Sequence, residues 1–173
     1  VWTYSKGRIY IEVHNHMFYE QLSNDFDYIG YFSHAFEHIQ ENSVFAVSSD
    51  YFFIPDENYH FLYLMTHTAK HIINNGAGFR AYLDMILMCR NCNLDWKLIK
   101  SELQKMNLLE FTETCFALCE RWFDVRMPLL SKKLDDSFYE QITEKTFKDG
   151  LFGLSNESNI GANTAKEIKR ENR

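Results

Sequence analysis

A glutamate and two histidines alternate with apolar residues near the start of the chain, in IEVHNHMF at residues 11–18. Carboxylate oxygens and imidazole nitrogens are common ligands of divalent cations, and the same groups move protons in catalysis. A strand sends residues i, i+2 and i+4 to one face, so Glu12, His14 and His16 would share a face opposite Ile11 and Val13. Three alternating residues along one strand span too far for all to reach one ion easily. Two of them with a group from elsewhere make the better metal site, and a half-exposed strand face without any function is the alternative.

A second group lies in YHFLYLMTHTAKH at residues 59–71. At about 100° per residue, His60, His67 and His71 fall with Leu64 on one flank of a helix. His67 and His71 are i,i+4 neighbours, the spacing by which a helix offers two imidazoles to one ion. HTAKH lacks the glutamate of the HExxH zinc-protease pattern, which excludes that reading. Further on, Asp84 sits within the apolar AYLDMILM, where an ionised carboxylate needs a partner. Arg80 lies one turn before it, and His67 or His71 would reach it if the two helices pack antiparallel across NNGAG. The arrangement reads either as a buried network tying two helices together or as part of a metal or substrate site.

Cys89, Cys92, Cys115 and Cys119 are the four cysteines, and CRNC has the two-residue spacing of zinc knuckles and redox pairs. Both pairs lie in apolar, helix-patterned surroundings, where buried free thiols are the expectation. A glycine-rich phosphate loop, a G-x-S-x-G elbow and a cysteine-histidine protease context are all missing. Arg8 and His14 have the spacing of an R-x(4–6)-H ribonuclease motif, but that motif needs a helix and these residues fall on a predicted strand.

The elements that must position these groups are mainly helices. With 46% hydrophobic and 16% aromatic residues but only 7 Gly and 2 Pro among 173, the chain can build a core from long regular elements. The formal charge of −6 gives no general attraction to nucleic acid, so a nucleic-acid partner is not expected. No apolar run is long enough for a membrane span and no signal-peptide pattern opens the sequence, which together predict a cytosolic protein. Residues 7–17 read as a strand, residues 25–40 as a helix capped by Asn24 or Asp25, and residues 43–55 as an extended connector. Four clearer helices follow: one capped by Asp56 and closed by NNG, an apolar one from Phe79 that is buried on most sides, an amphipathic one opened by Asp95, and one over LLEFTETCFALCERWFD. A last helix, DDSFYEQITEKTFKDG, ends at Gly150. The sequence predicts an α+β fold, predominantly α, with a short amino-terminal β element before a bundle of about five helices. The divisions expected are 1–20, 21–153 and a polar tail at 154–173.

IEVHNHMF, the aromatic-rich helical region after it, THTAKH, FRAYLDMILM and LDWKLIKSEL together resemble the uncharacterised nucleotidyltransferase family of the DNA polymerase beta-like superfamily. The resemblance covers residues 8–125, and DGLFG at 149–153 is similar to a glycine-phenylalanine element further on. It implies that the amino-terminal β element is the remnant of a nucleotidyltransferase sheet and that Glu12, in EVH, is the third catalytic carboxylate and a metal ligand. It also implies divalent Mg or Mn, a nucleoside triphosphate and an unknown acceptor in the complete protein. The family's glycine-serine turn and D-x-D strand do not occur in this sequence. The chain is therefore expected to be a fragment that does not catalyse transfer alone, with His14 as a family marker and His67, His71, Arg80 and Asp84 bracing the helices or lining an acceptor cleft. A non-enzymatic helical protein-binding module and a metal-dependent hydrolase using His14, His16, His67 or His71 remain as alternatives.

Overall fold

The computed structural model describes residues 2–6, 9–38, 45–47, 50–52, 54–74, 76–129 and 133–151. The chain divides into two compact units, Val1–Pro55 and Asp56–Arg173. Most described residues are helical, and two short antiparallel hairpins supply the β structure. Arg8 and the polar tail at 154–173 lie outside the described residues.

In the first unit, β1 (Trp2–Lys6) pairs with β2 (Ile9–Val13) from Lys6↔Ile9 to Trp2↔Val13. The expected strand over 7–17 is thus shorter at its carboxy-terminal end, because the last ladder partner is Trp2. Beyond Val13 the backbone bends, and Asn15 accepts a 2.9 Å hydrogen bond from the Tyr19 hydroxyl, a local bond of the kind that competes with a ladder.

The helix expected over 25–40 is also shorter. It is α1 (Tyr28–Ser33), followed by one 3-10 turn at Ala35–Glu37. Its cap is Asp27, whose Oδ1 accepts from Gly30 N at 3.0 Å and from Gln21 Nε2 at 2.6 Å. The hydroxyl of Ser33 donates to the Gly30 carbonyl at 2.7 Å, which draws that acceptor away from the helical ladder and favours an early end. Phe18 stacks on Phe32 with ring centroids 5.2 Å apart, and with Tyr28 these residues form the unit's buried centre. Within the connector expected at 43–55, the described residues form two short strands, β3 (Phe45–Val47) and β4 (Asp50–Phe52), which pair antiparallel.

The second unit is a bundle of α2 (Glu57–Asn74), α3 (Phe79–Asn91), α4 (Trp96–Lys105), α5 (Leu109–Phe123) and α6 (Asp136–Asp149). Asp56, Asp95 and Asp135 cap α2, α4 and α6 by accepting from backbone N–H groups that have no helical partner. Helix α2 packs on α3 and α4, and α5 packs on the same two. Between them Phe61, Met65, Met85, Ile99, Leu103, Met106 and Phe116 are fully buried. Buried threonine hydroxyls are satisfied inside their own helices, Thr66 on the Leu62 carbonyl and Thr112 on the Leu108 carbonyl.

Helix α3 is one-sided rather than buried on most sides. Tyr82, Met85 and Ile86 face the core, while Leu83 and Leu87 are exposed along with Arg80. Among the described residues, no helix is long and apolar enough to cross a membrane.

Candidate functional site

Glu12 occupies the ladder position opposite Thr3, one residue before the strand ends. The residues paired at alternate positions, Tyr4 with Ile11 and Lys6 with Ile9, share one face of the hairpin, and there Tyr4, Ile9, Ile11 and Val13 are all exposed. His14 and His16 fall outside the strand, so the three alternating side chains are not aligned on one ladder face. Both imidazoles pack instead around Tyr19, with ring centroids at 6.1 Å and 5.7 Å.

On α2 the histidine stripe resolves into a pair. His67 Nε2 and His71 Nε2 are 2.9 Å apart, and Tyr63 Oη lies 3.5 Å from His67 Nδ1 with the two rings stacked. His60, about two turns before His67, is exposed. Although His71 is exposed as a residue, crowding around its ring, aided by the Lys70 charge, lowers its pKa and favours the neutral imidazole.

Asp84 is not a buried carboxylate. Its side chain is 44% exposed and lies 3.7 Å from Arg80 Nε one turn away, on the solvent flank of α3. The reason is the one-sided burial of that helix: Asp84 stands between Leu83 and Met85 in sequence, at the border of the stripe that faces the core. The structure thus brings His67 together with His71, and Arg80 together with Asp84.

Cys115 and Cys119 are buried and Cys89 and Cys92 half-buried, all as free thiols. Burial pushes the thiols of Cys89 and Cys119 up to about 12, and that of Cys115 rises for the same reason. Such thiols are poor metal ligands and poor nucleophiles, because both roles require the thiolate.

One ionic feature escaped the sequence reading. Lys145 Nζ lies 2.8 Å from Asp149 Oδ2, and both side chains are largely enclosed. They border a cavity lined also by Ile72, Tyr82, Phe111 and Phe138. The available signal was the i,i+4 spacing of lysine and aspartate in EKTFKDG, ahead of a helix-ending glycine.

Among the described residues there is no group of three or more His, Cys, Asp and Glu able to hold a metal ion. Glu12 offers the hard oxygen donor that Mg or Mn prefers, yet one carboxylate is not a site.

A family model for an uncharacterised nucleotidyltransferase matches residues 1–124. No curated protein and no solved structure matches the chain. The matched stretch takes in the β1–β2 hairpin and helices α1 to α5, and α6 lies beyond it.

Proposed function

This chain belongs to the uncharacterised nucleotidyltransferase family, and from that premise we propose that it is part of an enzyme that transfers a nucleotidyl group from a nucleoside triphosphate to an acceptor. The observation that carries the reading is the family match itself, which runs across the strand bearing Glu12 and on through the helices. In this reading Glu12 is a carboxylate of the metal site in the complete protein. The divalent Mg or Mn would orient the triphosphate and offset charge on the leaving pyrophosphate. Glu12 contributes a hard oxygen ligand held at a paired ladder position, and His14 follows the strand beside it. His67, His71, Arg80 and Asp84 belong to the helical unit, which serves the acceptor side or braces it.

Residues 1–173 contain no glycine-serine turn, and their one D-x-D, Asp25 with Asp27, falls at the cap of α1 and not on a strand, so the chain alone is expected to be inactive. The test uses the complete reading frame that encodes it, incubated with labelled nucleoside triphosphates and Mg or Mn. Glu12→Gln should lower transfer by about 100-fold or more, since it removes a charged ligand from a metal-assisted reaction. Transfer at the unmutated rate in that variant would reject the assignment of Glu12.

The exposed apolar hairpin face favours a second reading, a protein-binding module. Ile11→Asp distinguishes the two: loss of a stoichiometric protein complex with nucleotidyl transfer intact supports binding through this face.

A further inference from the structure

We propose that His67 and His71 form a chelating site on α2 for a divalent transition cation of the Ni or Cu type. The family premise is not needed for this, and the chemistry differs from that of the hard cation assigned to Glu12.

Two imidazoles at i and i+4 sit on one side of a helix, and here their Nε2 atoms meet in a 2.9 Å hydrogen bond. With metal–nitrogen bonds of about 2.0–2.1 Å, that 2.9 Å separation subtends an angle of about 90° at a shared ion. A right angle is the cis angle of square-planar and octahedral coordination, the preference of Cu(II) and Ni(II). Tetrahedral zinc would need the nitrogens about 3.3–3.4 Å apart, so zinc fits less well.

The surroundings supply what such a site requires. The pair lies in the second half of an 18-residue helix that is capped by Asp56 and packed along Phe61, Met65 and Ala69, so its spacing is held by the core. Metal binding at Nε2 puts the His67 hydrogen on Nδ1, where Tyr63 Oη stands 3.5 Å away as the acceptor. A partner on the second ring nitrogen is how proteins orient a ligating imidazole. Without metal, the pair keeps itself satisfied: one Nε2–H donates to the other Nε2, and the Tyr63 hydroxyl can donate to Nδ1. Converting one state to the other moves a hydrogen between the two nitrogens of His67 and leaves both rings neutral. The exposure of His71 opens the remaining positions of the ion to water or to an oxygen ligand.

The experiment is calorimetric titration of the full chain with Ni(II) chloride in excess Mg, with nitrogen-15 NMR to locate paramagnetic broadening. We expect one Ni(II) per chain, broadening centred on His67 and His71, and no displacement by Mg. His67→Ala and His71→Ala should each weaken binding by at least 10-fold while circular dichroism shows an unchanged helix content. Tyr63→Phe should weaken it about 10-fold, as loss of an orienting partner does. His60→Ala and the double change His14→Ala with His16→Ala should leave it intact. No binding, or binding that survives His67→Ala with His71→Ala, overturns the proposal. Broadening centred on His14 and His16 or on Cys92 overturns it equally. Because the readout is Ni(II) binding, its failure leaves the transfer assay with Glu12→Gln unaffected.

Discussion

Lys145 and Asp149 form an ion pair inside the second unit, with Nζ 2.8 Å from Oδ2 and the side chains only 14% and 3% exposed. The pair lies against Gly76 in the turn between α2 and α3. Just past Asp149, the carbonyls of Gly150 and Leu151 accept from Phe79 N and Arg80 N at 3.2 Å and 3.1 Å. Helix α3 has no side-chain cap, so these carbonyls satisfy N–H groups that its first turn would otherwise leave open. The end of α6 therefore fastens the start of α3, and the ion pair holds that end in position.

Breaking the pair from one side strands a buried charge. Asp149→Asn should lower unfolding free energy by about 3 kcal/mol, the usual result of removing one partner from a buried salt bridge. Replacing both, Lys145→Met with Asp149→Leu, should cost less than the single change, because no unpaired charge remains. Urea denaturation followed by circular dichroism reads both; equal midpoints for Asp149→Asn and the unmutated chain would show that the pair contributes nothing.

Gly76 is predicted to be intolerant of any side chain. Its φ of +88° is a conformation that L-residues seldom adopt, and a Cβ there would overlap the Asp149 carboxylate and crowd Lys145 Nζ. Gly76→Ala should therefore destabilise by about 2 kcal/mol or more, combining backbone strain with displacement of the ion pair. In the Asp149→Leu, Lys145→Met background the same change should still cost the backbone part. A thermal melt of Gly76→Ala that matches the unmutated chain would contradict the geometry.

The parts legible in the sequence were those decided within a few residues. Asp56, Asp95 and Gly150 announce helix ends through local hydrogen bonding and backbone freedom, and α2 to α6 follow from their apolar spacing. What depended on a distant partner was not legible. The strand through Glu12 stops where Trp2 stops pairing with it, and β3 with β4 exist only because the connector folds onto itself. Asp84 was misread for the same reason: an apolar run does not reveal which side of its helix the rest of the bundle covers. The i,i+4 pairing of His67 and His71 was legible, but the 2.9 Å approach of their Nε2 atoms was not, since rotamers decide it.

Asp84 supplies a contrasting prediction. Its pairing with Arg80 at 3.7 Å is solvent-exposed on both sides, so screening and side-chain entropy leave little net gain. Asp84→Ala should change unfolding free energy by no more than about 0.5 kcal/mol. A loss as large as that expected for Asp149→Asn would mean that Asp84 is enclosed in solution, and would restore the buried network between α2 and α3.

The thiols should report the packing of α3 against α5 directly. Burial, reinforced by the neighbouring Cys92 thiol, pushes Cys89 up to about 12, and burial pushes Cys119 to about 12 as well. At pH 8 a thiol of pKa 12 is about 0.01% thiolate, against about a tenth for one at the unfolded value of 9.0, and only the thiolate attacks a disulfide reagent. Ellman's reagent should therefore modify Cys89 and Cys119 several hundred-fold more slowly in the native chain than in urea, and the buried Cys115 should also be slowed. Cys92, half-buried at the residue just past the end of α3, should react first. The same shifts set a sign for stability. A folded-state pKa above the unfolded value of 9.0 means that the native chain keeps protons the unfolded chain has lost. The stabilisation is complete below pH 9 and declines as pH rises from 9 towards 12, so urea midpoints should fall over that interval. Changing Cys89 and Cys119 to Ala should flatten the decline, whereas an equally steep fall in that variant would place its origin in other groups.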